Sequence, residues 1–211
     1  MTRMRKVKIG VAAVQGAVSE HIDAFRKALK GLGVEGDAVP VRSLEEFSRV
    51  DAVVLPGGES TAISRLLERS GMRPELGRRA AEEDMPIMGT CAGLILMAQK
   101  GDEQVERTQT RQLGLLSVSV DRNAFGRQRE SFESPLSVEL PGARWVRPFT
   151  GIFIRAPAVT KVWGDCAVLA RHADKVVAVA QGRRLGLAFH PELSEDLRFH
   201  IHFLELVIAG K

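Results

Sequence analysis

The sequence predicts an α/β protein built on a doubly wound sheet, mostly parallel, with added antiparallel strands in its second half. Three observations carry this. Through the first hundred residues, short apolar runs at Val7 to Val14, Ala38 to Val41, Ala52 to Leu55 and Met85 to Met88 are continuous rather than alternating, as in strands covered by helices on both faces. Each is followed by a segment of helical periodicity, and β-α repeats of this kind give parallel sheets with right-handed crossovers. From Leu115 the rhythm changes, because Leu116-Ser117-Val118-Ser119-Val120 and Leu136-Ser137-Val138-Glu139-Leu140 alternate as half-solvated strands do.

In order, the first strand stops at Gln15-Gly16. Ser19 is placed to cap a helix running to about Lys30, with Ile22, Phe25, Ala28 and Leu29 on one face and Gly31 and Gly33 ending it. The second strand precedes Ser43, which caps a short helical turn with Leu44 and Phe47 inward. The third ends in Pro56-Gly57-Gly58-Glu59-Ser60-Thr61, where Ser60 or Thr61 caps a helix to about Arg69, and another helix follows Pro74 to about Glu83. Gln99 to Gln112 is polar and reads as a surface loop with little chemistry. Short strands are expected at Thr150 to Pro157, Val159 to Val162, Ala167 to Ala170, Val176 to Gln181 and Leu185 to Phe189. Ser194 is placed to cap a last helix, Glu195 to about Ala209, with Leu197, Ile201, Leu204 and Ile208 inward.

The 211 residues fit one domain, 1–211, and 45% hydrophobic content is enough for a sizeable core. Aromatics are 5% with no Tyr, which argues against stacking on bases. The net charge of +4 comes from 30 Lys+Arg against 26 Asp+Glu, a mixed surface whose one dense basic run, Arg3 to Lys8, reads as a solvated tail leading into a strand. A nucleic-acid module is therefore the weakest reading. Cys91 and Cys166 do not make a disulfide framework, the N-terminus lacks an apolar signal region, and no apolar run nears the ~20 residues a membrane span needs. A cytoplasmic protein with no membrane or nucleic-acid partner, no cofactor and no metal is expected.

The chemistry centres on Gly89-Thr90-Cys91-Ala92-Gly93. A strand ends, a helix begins, and one nucleophilic side chain stands between two glycines, the pattern of a nucleophile elbow with Cys in place of Ser. The glycines answer two demands: a strained turn, and a strand and helix too close for larger side chains. The helix that leaves points its positive end at the sulfur, which favours a thiolate. A cysteine nucleophile needs a base and the base needs an orienter. Of five histidines, only His190 ends an apolar strand as Cys91 does, and Glu192 lies within reach of its second ring nitrogen across a stiffening Pro191. His21 lies early in a helix, His172 beside a turn, and His200 and His202 in the last helix. An oxyanion needs backbone donors, for which the N–H of Ala92 and the Gly57-Gly58 turn are candidates. Arg122 and Arg155 lie near strand ends and could hold a carboxylate by a bidentate fork, and Glu59 could receive an ammonium group. Cys166, with no His or helix start beside it, reads as structural.

These residues resemble the class I (triad) glutamine amidotransferases, and within them the glutaminase subunits of pyridoxal 5′-phosphate synthases. The resemblance spans essentially the whole chain: Val14 to His21, Leu55 to Thr61, Gly89 to Leu94, Arg122 to Gln128 with Ser131-Phe132-Glu133, Phe153 to Pro157, and Phe189 to Leu193. It implies a flavodoxin-like fold of that family. It implies that Cys91 attacks the side-chain amide of L-glutamine, that His190, oriented by Glu192, protonates the departing ammonia, and that water releases glutamate from a γ-glutamyl thioester. It implies that Gly57, Gly58, Glu59, Arg122, Ile154 and Arg155 contact the glutamine. It further implies a partner, a (β/α)₈-barrel synthase subunit in a large hetero-oligomer, which receives the ammonia and to which the Gln15-Gly16 turn could contribute a contact. The alternatives are the glutaminase subunit of another amidotransferase, a γ-glutamyl hydrolase, or an inactive subunit that only stabilises a synthase.

Overall fold

A computed structural model describes residues 6–13, 15–125, 131–141 and 147–210. Val14 and the Gly126, Arg127 and Gln128 of the motifs above lie outside the described residues. The strands are Val7–Ala12 (β1), Gly36–Val41 (β2), Ala52–Leu55 (β3), Ile87–Thr90 (β4), Ala98–Lys100 (β5), Leu116–Asp121 (β6), Phe132–Leu136 (β7), Phe149–Phe153 (β8), Ala158–Val162 (β9), Ala167–His172 (β10), Lys175–Gln181 (β11) and Arg184–Leu187 (β12). The helices are Val18–Gly31 (α1), Leu44–Phe47 (α2), Ser60–Arg69 (α3), Met72–Glu82 (α4), Ala92–Met97 (α5), Glu103–Arg107 (α6) and Arg198–Ala209 (α7).

Ten strands form one sheet in the order β2-β1-β3-β4-β12-β11-β9-β6-β5, with β10 added on β11. The pairs from β2 to β12 through β1, β3 and β4 are all parallel, while β12-β11, β11-β9, β9-β6 and β10-β11 are antiparallel. This is the doubly wound, flavodoxin-like arrangement, whose ligands bind beyond the carboxyl ends of the strands. The antiparallel strands expected in the second half are present, although β12 joins β4 and β6 joins β5 in parallel. Of the central parallel strands, β3 and β4 are wholly buried and β1 nearly so, as the continuous apolar runs require, while β6 alternates buried and half-buried residues.

A second, two-stranded sheet of β7 and β8 is fastened to the main one by aromatic packing. Phe149 and Phe153 of β8 meet Phe189, with ring centroids 5.3 and 5.7 Å apart, and Phe149 meets Phe199 of α7 edge-on at 4.9 Å. All four rings are fully buried. Phe189 is the residue before His190, whose backbone N–H donates to the Ile152 carbonyl at 2.8 Å. The small sheet and the end of β12 are thereby one unit.

Several elements differ from the sequence expectation. β1 ends at Ala12, short of Val14. Ser19 caps nothing: α1 starts one residue earlier at Val18, and the Ser19 hydroxyl donates to Glu20. Gly31 stays helical, and Gly33, at φ +64°, turns the chain away. Ser43 does cap α2, accepting from the Glu46 N–H, and Phe47 is buried, but Leu44 is exposed. The cap of α3 is Glu59 rather than Ser60 or Thr61. α4 begins at Met72, with Pro74 inside its first turn, where a missing N–H costs nothing. No strand forms at Leu136 to Leu140: β7 lies just before it and ends at Leu136, and Val138 keeps only a single bridge to Ala170. The strand expected to reach Pro157 stops at Phe153. α7 starts at Arg198, because the Ser194 hydroxyl accepts from Asp196 in a turn before it, and Ile208 faces solvent. Gln99 to Gln112 is no plain loop: it holds part of β5 and all of α6, capped by Asp102.

The turn between β4 and α5 is fixed by space. A Cβ on Gly93 would lie 2.1 Å from the Leu55 carbonyl oxygen, and one on Gly89 would lie 2.6 Å from the Gly93 carbonyl carbon. Backbone meets backbone there, so no side chain can give way. Gly93→Ala is expected to lower stability by about 1–3 kcal/mol, the range for overpacking a tight interior, read as a fall in thermal midpoint by calorimetry.

Candidate active site

The carboxyl ends of β1, β3, β4 and β12, neighbours in the sheet, converge on one cavity of about 270 Å³. Its lining includes Gly57, Gly58, Glu59, Cys91, Ala92, Arg122, Ile154, Arg155 and His190. All nine of these sequence-predicted residues are thus brought together, and Glu192 stands directly behind His190.

Cys91 sits at φ 49° and ψ −105°, a conformation that costs a non-glycine residue of order 1–3 kcal/mol and is held only by its surroundings. Its N–H donates to the Leu187 carbonyl at 2.8 Å, and its carbonyl accepts from Leu94 and Ile95 as α5 begins. The thiol donates to the Ile154 carbonyl at 3.8 Å, so the loop after β8 closes over the sulfur. Arg155, next along, has φ 46°, which turns the chain sharply out of β8 at the cavity.

His190 opens a 3-10 turn, Pro191–Leu193, which brings Glu192 back to the ring: Glu192 Oε1 is 2.7 Å from His190 Nδ1. Burial opposes a charge on His190, but hydrogen bonding and attraction to Cys91 and Glu192 outweigh it, and the imidazole is pushed up to about 10. Burial likewise opposes charge on Glu192, but the neighbouring His21 and His190 rings outweigh it, the second through a hydrogen bond, so its carboxyl titrates below the ordinary range. Gly57 is required by the imidazole: a Cβ there would lie 2.4 Å from His190 Cε1. Gly16 has the same relation to that turn, since at φ +101° its added Cβ would lie 1.7 Å from the Gly57 oxygen. The β1 turn, the β3 turn and the imidazole are therefore stacked in contact.

At the other end of the cavity, Glu59 accepts from the Thr61 N–H at 3.0 Å and the Ala62 N–H at 2.7 Å, while its own N–H donates to Gln15 Oε1 at 3.3 Å. Burial raises the Glu59 carboxyl, but these two amides and the Arg122 guanidinium bring it down below the usual range. Arg122 Nη2 donates to Glu59 Oε1, and Nη1 donates to Thr61 Oγ1 at 3.2 Å and Thr108 Oγ1 at 3.3 Å. The Arg122 N–H donates to Asp102 Oδ2 at 2.8 Å. Residues 99–112, expected to be a surface loop with little chemistry, instead support the site: Asp102, Thr108 and Thr110, which bonds Thr61 at 3.0 Å, hold Arg122 at the cavity. Neither Asp102 nor the threonines carried a local motif. Asn123, inside the Arg122 to Gln128 motif, also lines the cavity. Cys166 is buried elsewhere and burial pushes its thiol up to about 11, as a structural cysteine requires.

Chemically the cavity offers a sulfur, an imidazole backed by a carboxylate, backbone at a glycine turn, and a carboxylate and guanidinium able to meet an amino acid's charged groups. Fold and site together have the form of an amidohydrolase on a doubly wound sheet. The SNO glutamine amidotransferase family matches residues 11–209. A pyridoxal 5′-phosphate synthase subunit PdxT from Archaeoglobus fulgidus is 53% identical over 200 residues, 95% of this chain and 98% of its own length. Its counterpart from Methanosarcina barkeri is 50% identical over 204 residues, 97% of this chain and 100% of its own. A crystal structure of a glutamine amidotransferase superposes with a TM-score of 0.81 at 42% identity, covering 94% of this chain and 98% of that one. A glutamine amidotransferase from Thermotoga maritima, at 13% identity and a TM-score of 0.60 over 98% of this chain and 96% of that one, shares the fold. The chain belongs to the SNO glutamine amidotransferase family.

The His190–Glu192 pair has a pH signature. His190, raised from an ordinary 6.5 to about 10, contributes stability that is complete below about 6.5 and lost as pH rises through about 10. Glu192, lowered from 4.5, contributes stability present above about 4.5 and lost as pH falls. Thermal midpoints are expected to be highest, as far as this pair sets them, between about pH 4.5 and 6.5. Glu192→Gln is expected to lose most against wild type there, with the gap narrowing toward pH 10 in a melting series.

Proposed function

We propose that this chain is the glutaminase component of a pyridoxal 5′-phosphate synthase, acting as one glutamine amidotransferase domain. It hydrolyses L-glutamine to L-glutamate and ammonia for the synthesis of vitamin B6. The observation that carries the reading is the single cavity in which the elbow cysteine, the carboxylate-backed imidazole and the Glu59–Arg122 pair face one another. The PdxT relatives, matched over nearly their full length, favour this subunit over other cysteine hydrolases of the same fold.

In the mechanism, the Cys91 thiol passes its proton to His190 and its sulfur attacks the side-chain amide carbon of glutamine. The oxygen that gains charge is met by backbone N–H groups of Gly58 and Ala92. His190, held by Glu192 through Nδ1, delivers a proton to the nitrogen, and ammonia leaves as the γ-glutamyl thioester forms. The same imidazole then takes a proton from water, which attacks the thioester, and glutamate departs with the thiol restored. Arg122 and Arg155 receive the substrate's α-carboxylate and Glu59 its ammonium. Arg122 and Glu59 neutralise each other before substrate enters, so neither charge stands unpaired in the cavity. Ammonia passes to a (β/α)₈-barrel synthase subunit in a large hetero-oligomer, and the reaction needs no cofactor or metal in this chain.

Two results are expected when the chain is assayed with its synthase subunit for glutamate release. Cys91→Ala abolishes turnover while still joining the complex, and equal turnover in that variant would overturn the nucleophile assignment. Gly57→Ala, which drives a methyl into His190 Cε1, lowers kcat by roughly a hundredfold, the cost of an ångström-scale misplacement. Wild-type kcat in that variant would mean that His190 need not lie where it does.

A further inference from the structure

The rear wall of the site holds a group that the mechanism does not use. His21, one turn into α1, is completely buried. Its Nε2 lies 3.1 Å from Thr90 Oγ1 and 3.4 Å from Glu192 Oε2. Both neighbours bear directly on the chemistry. Thr90 is the last residue of β4, bonded covalently to Cys91, and Glu192 uses its other oxygen to hold His190. Glu192 Oε2 is sealed from solvent and forms no hydrogen bond of good geometry among the described residues, which leaves His21 Nε2 as the polar atom facing it. A buried carboxylate oxygen with no donor nearby is costly, so the contact has an energetic reason to exist.

The other surroundings of His21 fix which nitrogen carries the proton. Its Nδ1 has no partner among the described residues. His200 of α7 stands behind it with ring centroids 6.0 Å apart, has no hydrogen-bond partner at either nitrogen among those residues, and lies edge-on to Phe25 at 4.8 Å. Burial lowers both histidines, His200 to about 3, with repulsion between them adding to it at His200 and His190 adding to it at His21, while Glu192 pulls the other way on both and Glu20 on His21. A neutral His21 has one N–H to give, and the oxygens that can take it are both at Nε2.

We propose that His21 is a positioning residue for the glutaminase reaction: its Nε2–H, shared between Thr90 Oγ1 and Glu192 Oε2, ties the strand end that carries the nucleophile to the carboxylate that orients the base. The inference rests on the reading of Cys91, His190 and Glu192 as nucleophile, base and orienter. With the tie in place, Glu192 cannot rotate its second oxygen toward His190 and the imidazole keeps one heading. Without it, the carboxylate is free to turn, and the imidazole spends less time aligned with sulfur and leaving nitrogen. The loss falls on the chemical step, since His21 does not line the cavity where glutamine binds.

The test compares His21→Leu, His21→Asn and His21→Gln with wild type and Cys91→Ala, each assembled with the synthase subunit. The Gln amide reaches the place of Nε2, whereas the Asn amide reaches only that of Nδ1. His21→Leu and His21→Asn are expected to lower kcat about tenfold with KM changed less than twofold, a part of what general acid–base catalysis contributes. His21→Gln is expected to return kcat to within about threefold of wild type. Melting temperatures measured alongside identify variants that fail to fold, and the Asn–Gln comparison stands if His21→Leu is one of them. Wild-type kcat in folded His21→Asn, equal losses in folded Asn and Gln variants, or a loss carried by KM would each overturn the proposal. Turnover by Cys91→Ala would instead overturn the triad on which it rests, while an inactive Cys91→Ala beside a fully active His21→Asn would overturn the His21 role alone.

Discussion

Between β4 and α5 there is no room for a side chain on either glycine. Gly93 lies against the Leu55 carbonyl of β3, and Gly89 lies against the Gly93 backbone and the Met97 sulfur, so helix and strands meet with no space for another atom. A chain that must reverse from strand to helix in so little space forces one residue into a strained conformation, and that residue is Cys91, at φ 49°. The strain is sustained by what surrounds it: the Leu187 carbonyl on one side, the first turn of α5 on the other, and a parallel sheet whose neighbouring strands end at the same level. The sulfur is presented to the cavity because the backbone has no other way to turn.

The rest of the site is attached to that turn by two kinds of contact. Steric stacking runs from Gly16 to Gly57 to His190, each glycine there because a Cβ would collide with the next member. Aromatic packing runs from Phe199 through Phe149, Phe153 and Phe189, joining the small sheet to the strand end that carries His190. That second contact also sets Ile154, whose carbonyl meets the Cys91 thiol. His21 adds a polar tie across the back, from α1 to both β4 and Glu192. Four separate regions of sequence, at 16–21, 57, 149–154 and 199, thus constrain one imidazole.

The parts of the site legible in the sequence are those encoded by short-range signals. Gly89-Thr90-Cys91-Ala92-Gly93 and His190-Pro191-Glu192 are turns whose geometry follows from their own residues, and Gly57-Gly58 is another, so the residues alone point to strand ends that converge. Caps are less legible. Ser19 and Ser194 have capping chemistry yet do not cap, and Glu59 does, because a neighbouring carboxylate or turn competes for each serine hydroxyl and because Glu59 reaches two amides at once. The support of Arg122 by Asp102 and Thr108 is not legible, since it depends on how 99–112 folds back against 121–122, and nothing local encodes that pairing. His21 leaves a trace: it is a polar residue in an otherwise apolar buried stripe with Ala24, Phe25, Ala28 and Leu29, and only the tertiary structure tells what it faces.

On the proposed reading Cys91, alone of the chain's two cysteines, is a nucleophile poised for the side-chain amide of glutamine. A diazoketone analogue of glutamine, which alkylates a nucleophile held at that carbon, tests it most directly. Incubated with the chain and its synthase subunit and followed by peptide mass mapping, it should add once, at Cys91, with excess glutamine protecting and His190→Ala slowing the reaction. Labelling of Cys166 to the same extent, or labelling of Cys91 that glutamine does not slow, would rule out that role for Cys91.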